Sequence, residues 1–324
     1  MEDTTILITH VGSRNKEIKR CLGVYEKYKV RVLALGPKEN TSFKNNIHVP
    51  DTQNLWTKLQ IGLANTSTKY VAWCADDDFI LPSFLTEAEK ALNTDASINC
   101  VDGLALRFQE ESDCAFEIAS YCYRTSMARL ITPKHGTGNT IAKRLRGLSS
   151  WCAPGTTVHA VFRVDTLDRI INIIANNPEL MNIRLSDKLI FLFALLEGGN
   201  KFVPRIAHLR SSGVSFSRNP AFFYLENDVK RISDVELFKY SSDLLGEHSL
   251  EDLNKAVGFI EARKIGIPMS ARLGAIGRKN KQLLLWGHSF IVAPYVSNKY
   301  LTQLTADDRQ ADDLSNFRSV YLKQ

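Results

Sequence analysis

The chain has 324 residues, 44% of them hydrophobic and 23% charged, with a formal net charge of +6. That is an ordinary globular composition, long enough for one large α/β domain with an appendage or for two domains of about 150 residues, and it excludes a disordered or fibrous chain. The moderate positive charge points to an anionic partner, but no nucleic-acid-binding motif accompanies it, so nucleic acid is not expected.

Thr4 to Val11 is β-branched and apolar and reads as a first strand. It begins inside the acid-bearing MEDTTILITH, where no basic region leads into an apolar one, so no export signal is expected. Gly12-Ser13-Arg14-Asn15 hands over to a helix from Lys16 to Tyr28, with Ile18, Cys21, Leu22 and Tyr25 on one face. A strand from Val30 to Leu35 stops at Gly36-Pro37, Asn46 to Pro50 is a short third strand, and Thr52 to Ala64 a second helix. This alternation predicts a parallel, doubly wound, nucleotide-binding half over residues 1–100.

The most informative stretch is KYVAWCADDDFIL, from Lys69 to Leu81. An apolar run of the kind buried on both faces of a parallel sheet ends in three consecutive carboxylates, Asp76, Asp77 and Asp78. Burying adjacent like charges unpaired costs several kcal/mol, so a positive partner is expected there. At the carboxyl ends of parallel strands, that partner would be a hard divalent cation that also holds a phosphate. The alternative is a solvated loop, or Asp78 as the cap of the next helix.

A helix from Ser83 to Leu92 and a strand from Ile98 to Phe108 follow. Glu110 to Ser150 is less regular and basic, and is available as a mobile loop over the site. Its Gly136-Thr137-Gly138 lacks the rest of a phosphate loop and reads as a turn. Thr156 to Val164 is a strand, and Asp165 to Asn176 a helix with Leu167, Ile170, Ile171 and Ile174 inward. Ser186 or Asp187 caps an apolar helix that stops at Gly198-Gly199. A return strand, Lys201 to Pro204, leads to a loop carrying His208 and Arg210.

Beyond Pro220 the pattern is helical, with elements at 222–237, 238–245, 250–264 and 282–292. No acid occurs between Ala262 and Ala306. The basic residues of 263–281 read as solvated surface or as a peripheral contact for anionic lipid headgroups. The longest apolar run, Leu189 to Leu196, is far short of the roughly 20 residues that span a bilayer. Six cysteines are scattered without a CxxC pair, and Cys74, inside the apolar strand, is expected as a buried thiol. A cytoplasmic setting is therefore expected, with peripheral contact at the inner membrane face as a variant.

A first strand ending in a polar turn, a parallel half-sheet, a strand ending in Asp-x-Asp and a later Ser-Asp before an apolar helix together resemble the GT-A glycosyltransferases, and within them the family 2-like group. The resemblance covers roughly residues 4–215. It implies a GT-A domain over residues 1–218, with a nucleotide-binding half (1–100) and an acceptor half (101–218), and a helical extension over 219–324. It further implies Mn²⁺ or Mg²⁺ held by Asp78 with His208, and contacts to a nucleotide-sugar, a UDP-sugar, through Asp76, Asp77 and Arg210. Asp187 matches the family's general base. The opening turn departs from the family's usual one, so Thr9 and Arg14 stand in for its contacts. The second strand ends in Gly36-Pro37-Lys38 instead of an acid, which leaves Asp51 as the nearest base-side substitute.

The activity implied is metal-dependent, inverting transfer of a sugar to a hydroxyl of a glycan or lipid-linked acceptor, in bacterial surface polysaccharide synthesis. Two other readings remain open. A nucleotidyltransferase would want a Gly-rich basic loop after the first strand, and Gly12-Ser13-Arg14 is too short for one. A non-catalytic nucleotide- or sugar-binding module would use the acids as caps alone. His208 is equally readable as a hydrogen-bonded loop histidine, and Asp187 as an N-cap.

Overall fold

Four strands set up the first half of the sheet: the largely apolar β1 (Thr4–Thr9), β2 (Arg31–Gly36) and β4 (Tyr70–Ala75), and the short, more polar β3 (Asn46–His48). They lie parallel in the order β3-β2-β1-β4. Ile6, Leu7 and Ile8 point alternately to the two faces and are all fully buried, because helices cover both. The computed structural model describes residues 3–37, 46–108, 116–118, 134–136, 143–144, 158–181, 190, 193–211 and 307–321.

The expected helices α1 (Asn15–Lys27) and α2 (Leu55–Ala64) connect these strands. On α1, Ile18, Cys21, Leu22 and Tyr25 face the core, as their spacing predicts. Helix α2 starts at Leu55 instead of Thr52, because the Asn54 side chain accepts a 2.9 Å hydrogen bond from the Thr57 amide and so caps it.

The second half mixes directions. It comprises β5 (Asp78–Ile80), α3 (Pro82–Thr94), β6 (Ile98–Phe108), β7 (Phe116–Ile118), β8 (Lys134–Gly136), β9 (Val161–Arg163), α4 (Val164–Ala175) and β10 (Gly199–Ser211). The main path of the sheet runs β3-β2-β1-β4-β9-β6-β10-β5. Strand β9 is antiparallel to β4 and β6, β5 is antiparallel to β10, and β6 and β10 are parallel. The α/β class expected from the sequence is the one observed. The inward residues predicted for α4, namely Leu167, Ile170, Ile171 and Ile174, are all buried.

Three expectations change. The segment from His208 to Ser211 is not a loop: β10 continues through a register break between Phe202 and Ile206, which takes Pro204 out of the ladder, and then pairs with both β6 and β5. Gly136 ends a strand, β8, antiparallel to β10. Arg144, expected on a mobile loop, is buried and donates to the carbonyls of Leu195 and Leu196 at 2.7 and 2.8 Å. The last turns of the helix expected before Gly198 are present at residues 193–197. Gly198 follows because a Cβ there would lie 2.2 Å from the Asn99 amide nitrogen.

A helix with no counterpart in the sequence reading, α5 (Asp308–Tyr321), packs against α1 and α3. Phe317 is fully buried against Phe79 and Phe108, at ring separations of 5.4 and 5.0 Å, and Phe79 in turn stacks on Tyr25 at 4.4 Å. Gln310 brackets the backbone of Ile206, donating to its carbonyl at 3.0 Å, and Asp313 accepts from the Ser83 amide at 2.8 Å. The helices expected at 222–292 and the basic tract 263–281 lie outside the described residues. Among the described residues, no helix is long and apolar enough to cross a membrane. Cys21, Cys74 and Cys100 are buried free thiols.

Candidate active site

Strand β4 ends at Ala75, and the chain crosses through Asp76 and Asp77 alone to β5, which Asp78 opens beside β10. Strands β4 and β5 touch directly, so the sheet curls to bring its β5 edge back to β4. Asp78 does not cap the following helix: the residue preceding α3 is Leu81, which makes no side-chain cap, and Pro82 occupies its first turn. Asp76 and Asp78 are buried. The positive group beside Asp76 and Asp77 is a side chain, where the sequence suggested a divalent cation: Arg14 Nη1 lies 3.1 Å from Asp76 Oδ1 and 2.7 Å from Asp77 Oδ2.

That one guanidinium does not balance the burial. Burial pushes Asp76 up to about 7 against the pull of Arg14, and it raises Asp77 with help from neighbouring Asp78. Asp78 is raised as well, by burial first, with His159 and Arg210 opposing. Asp76 Oδ2 is buried with no hydrogen-bond partner.

The extension of β10 brings His208 and Arg210 opposite β5, in register with Ile80 and Asp78. His208 Nε2 lies 3.3 Å from Asp78 Oδ2, too poorly aligned to hydrogen-bond, and both of its ring nitrogens are buried with no hydrogen-bond partner among the described residues. A third group, absent from the sequence reading, completes the cluster. His159, just ahead of β9, stacks on His208 with ring centroids 4.0 Å apart, and its Nε2 lies 3.8 Å from the same Asp78 oxygen. Burial brings both imidazoles down to about 3. Each is therefore neutral at physiological pH and carries a lone pair.

Asp78, His159 and His208 offer one ligand atom each, all within 4.8 Å of one another. Two ligands about 2.1 Å from a shared ion are roughly 3.0–3.4 Å apart, which the 3.3 Å between Asp78 and His208 meets and the 3.8 Å between Asp78 and His159 exceeds. Neutral imidazoles and a carboxylate are also the right donor types, and the unpartnered His208 nitrogens are what a missing ligand bond leaves behind. The residues fit a divalent cation.

On the other side of β1, Asp51 Oδ2 accepts from the Gly12 amide at 2.9 Å, and Asp51 Oδ1 lies 3.5 Å from Lys58 Nζ. Lys58 is buried and donates to the His10 carbonyl at 3.0 Å; burial lowers its pKa against the opposing pull of Asp51. The buried His10 ring rests on Gly36, where a Cβ would come within 2.4 Å of it, so the glycine that replaces the expected acid is there for space. Asp51 is half exposed and open to a ligand. The Thr9 hydroxyl accepts from Trp73 Nε1 at 3.1 Å.

Arg14, Asp76, Asp77, Asp78, His208 and Arg210 thus converge at one end of the sheet, with Thr9 at the end of β1 and Asp51, beyond β3, held beside it by the Gly12 amide. Asp187 and Ser186 lie outside the described residues. His159 and Lys58 were missed because each sits in an otherwise ordinary apolar segment, TTVHAVFRV and LWTKLQIGLA. A lone polar residue in such a segment has the core as its default reading.

No family model matches the chain, and no curated protein matches it. Solved structures do. S. aureus TarS 1–349 in complex with UDP-GlcNAc superposes with a TM-score of 0.50 at 11% identity, covering 98% of this chain and 90% of that one. A second crystal structure of S. aureus TarS 1–349 gives 0.46 at 10% identity over the same shares. The likeness is one of fold, and the fold is the GT-A arrangement anticipated from the sequence.

Proposed function

We propose that the chain is a glycosyltransferase that moves a sugar from a nucleotide-sugar to a hydroxyl of a glycan or lipid-linked acceptor. The observation that carries this reading is the Asp78–His159–His208 cluster beside the Arg14-braced Asp76 and Asp77, at the carboxyl edge of a nucleotide-binding sheet. TarS holding UDP-GlcNAc on the same fold makes a UDP-sugar the first donor to test.

A divalent cation held by Asp78 and His208 would neutralise charge on the departing diphosphate. Arg14 keeps Asp76 and Asp77 fixed for the ribose and sugar side of the donor. Arg210 supplies a guanidinium for a phosphate oxygen. Asp51, with a free face toward solvent and the Gly12 amide behind it, is positioned to accept from the nucleotide base, and Thr9 lines the strand end next to it. Asp187 accepts the proton of the attacking hydroxyl, and a single displacement inverts the anomeric centre.

In this reading residues 1–218 form the catalytic domain, 219–324 form an extension, and the basic tract 263–281 meets an anionic membrane face from the cytoplasmic side. Bacterial surface polysaccharide is the acceptor class that follows from such a placement. The test is a panel of nucleotide-sugars incubated with the full chain and Mn²⁺, scored for released nucleotide and for transferred sugar. Release of nucleoside diphosphate with sugar transfer supports the proposal. Release of pyrophosphate would instead identify a nucleotidyltransferase, and binding without turnover across the panel a non-catalytic module.

A further inference from the structure

His159 invites an ordinary explanation, a core histidine satisfied by its neighbours, and the geometry argues against it. Its Nδ1 lies 3.2 Å from the carbonyl oxygen of Trp73. A carbonyl only accepts, so Nδ1 carries the ring proton and Nε2 carries a lone pair. That lone pair is turned toward Asp78 Oδ2 at 3.8 Å, beyond hydrogen-bonding reach, in a site only 9% exposed. Two acceptors facing each other in a buried site repel unless a proton or a cation lies between them. A backbone carbonyl fixing the far nitrogen of an imidazole is the usual way a ligating histidine is oriented.

The register explains why the ring is held there. Strand β9 pairs antiparallel with β4, Val161 opposite Ala72, which draws the preceding turn alongside Trp73. His208 arrives from the other side on β10, and the two rings stack at an interplanar angle of 22°. Asp78, His208 and His159 therefore come from β5, β10 and the turn ahead of β9, whose mutual positions are set by the sheet ladder.

We propose that His159 is a third protein ligand of the divalent cation, and that the resulting set of two imidazoles and one carboxylate makes the site select Mn²⁺ over Mg²⁺. The inference rests on the cation site described above but goes further, because Asp78 and His208 alone would leave the ion mostly to oxygen donors. Mg²⁺ favours oxygen and keeps its waters, whereas first-row transition ions accept imidazole nitrogen, Mn²⁺ the most weakly of the series but more readily than Mg²⁺. Three protein donors also leave three positions of a six-coordinate ion for diphosphate oxygens and water.

The test uses the full chain with Mn²⁺ alone, read by electron paramagnetic resonance and its nitrogen couplings, with Mg²⁺ as competitor. The expected result is two directly bound nitrogens in the parent protein and one in each of His159→Gln and His208→Gln. Mn²⁺ affinity should fall by about 10–100-fold in either variant, and Mg²⁺ should displace Mn²⁺ only at about 100-fold or greater excess. A single bound nitrogen in the parent, undiminished Mn²⁺ affinity in His159→Gln, or parity between the two ions overturns the proposal. If His159→Gln does not fold, the nitrogen count of the parent decides alone. Turnover of a nucleotide-sugar by a protein with one bound nitrogen would overturn the ligand assignment and leave the transferase reading intact; absence of any Mn²⁺ binding would overturn both the ligand set and the metal dependence.

Discussion

Arg14 and Asp77 face each other at 2.7 Å across the gap between the turn after β1 and the crossing after β4. The same guanidinium reaches Asp76, so the chain's earliest turn is tied to its most acidic stretch. Removing one partner of a largely buried charge group leaves the other unsolvated, which costs about 3–5 kcal/mol. Arg14→Ala is expected to lose close to that amount in urea denaturation. Arg14→Lys should recover only part of it, since the ammonium is more strongly hydrated than the guanidinium and gives up more on burial.

Gly103 sits under the register break of β10. A Cβ there would lie 2.7 Å from the Ala207 side chain and 2.8 Å from the Arg205 carbonyl oxygen, and that backbone cannot swing aside. Gly103→Ala is expected to cost about 1–3 kcal/mol in thermal or urea denaturation. It should also weaken Mn²⁺ binding, because Ala207 adjoins His208 on the strand that would have to move.

The stability of the metal-free protein should depend on pH through two opposed sets of groups. His159 and His208 titrate near 6.5 when unfolded and near 3 when folded, so their contribution is complete above pH 6.5 and is lost as pH falls toward 3. Asp76 runs the other way: raised to about 7, it favours the fold at low pH, and that contribution is lost as pH rises through 7. Asp77 and Asp78, raised as well, act in the same direction as Asp76. In EDTA between about pH 4 and 6.5, Asp76→Asn should therefore make stability rise more, or fall less, with pH than in the parent, and His159→Gln combined with His208→Gln should do the reverse, as measured by urea midpoints across the range.

Asp187→Asn is expected to retain donor binding and to lower kcat by about 10²–10⁴-fold, the usual worth of a positioned base. Transfer at the parental rate would remove Asp187 from the reaction.

The parallel half-sheet was legible because its strands are apolar on both faces and its helices keep one clean stripe; Ile18, Cys21, Leu22 and Tyr25 show that periodicity. The acids stood out because three carboxylates at a strand end have no structural rationale. What escaped was non-local. Nothing near His159 signals that Trp73 will turn it toward Asp78, since their meeting depends on the β4–β9 register. His208 and Arg210 lie past Pro204, which locally announces a strand end, and only pairing with β5 and β6 carries the strand through. Helix α5 has a weakly amphipathic, mostly polar sequence, and its largest buried apolar side chain, Phe317, finds its partners in segments more than 200 residues away.

Phe317 is the point where that distance matters. Truncating a fully buried phenylalanine costs about 3–5 kcal/mol, so Phe317→Ala is expected to lower stability by that amount. The loss should appear as a reduced urea midpoint with an unchanged slope.

The lateness of Phe317 bears on how the protein is made in a cell. Phe79, next to Asp78, and Phe108 leave the ribosome long before it, and at about 5–20 residues per second the aromatic that covers them follows roughly ten to forty seconds later. For that interval the nascent strand bearing Asp78 shows bare aromatic surface. Chaperone occupancy during translation should therefore concentrate on this strand and end once α5 is released to dock.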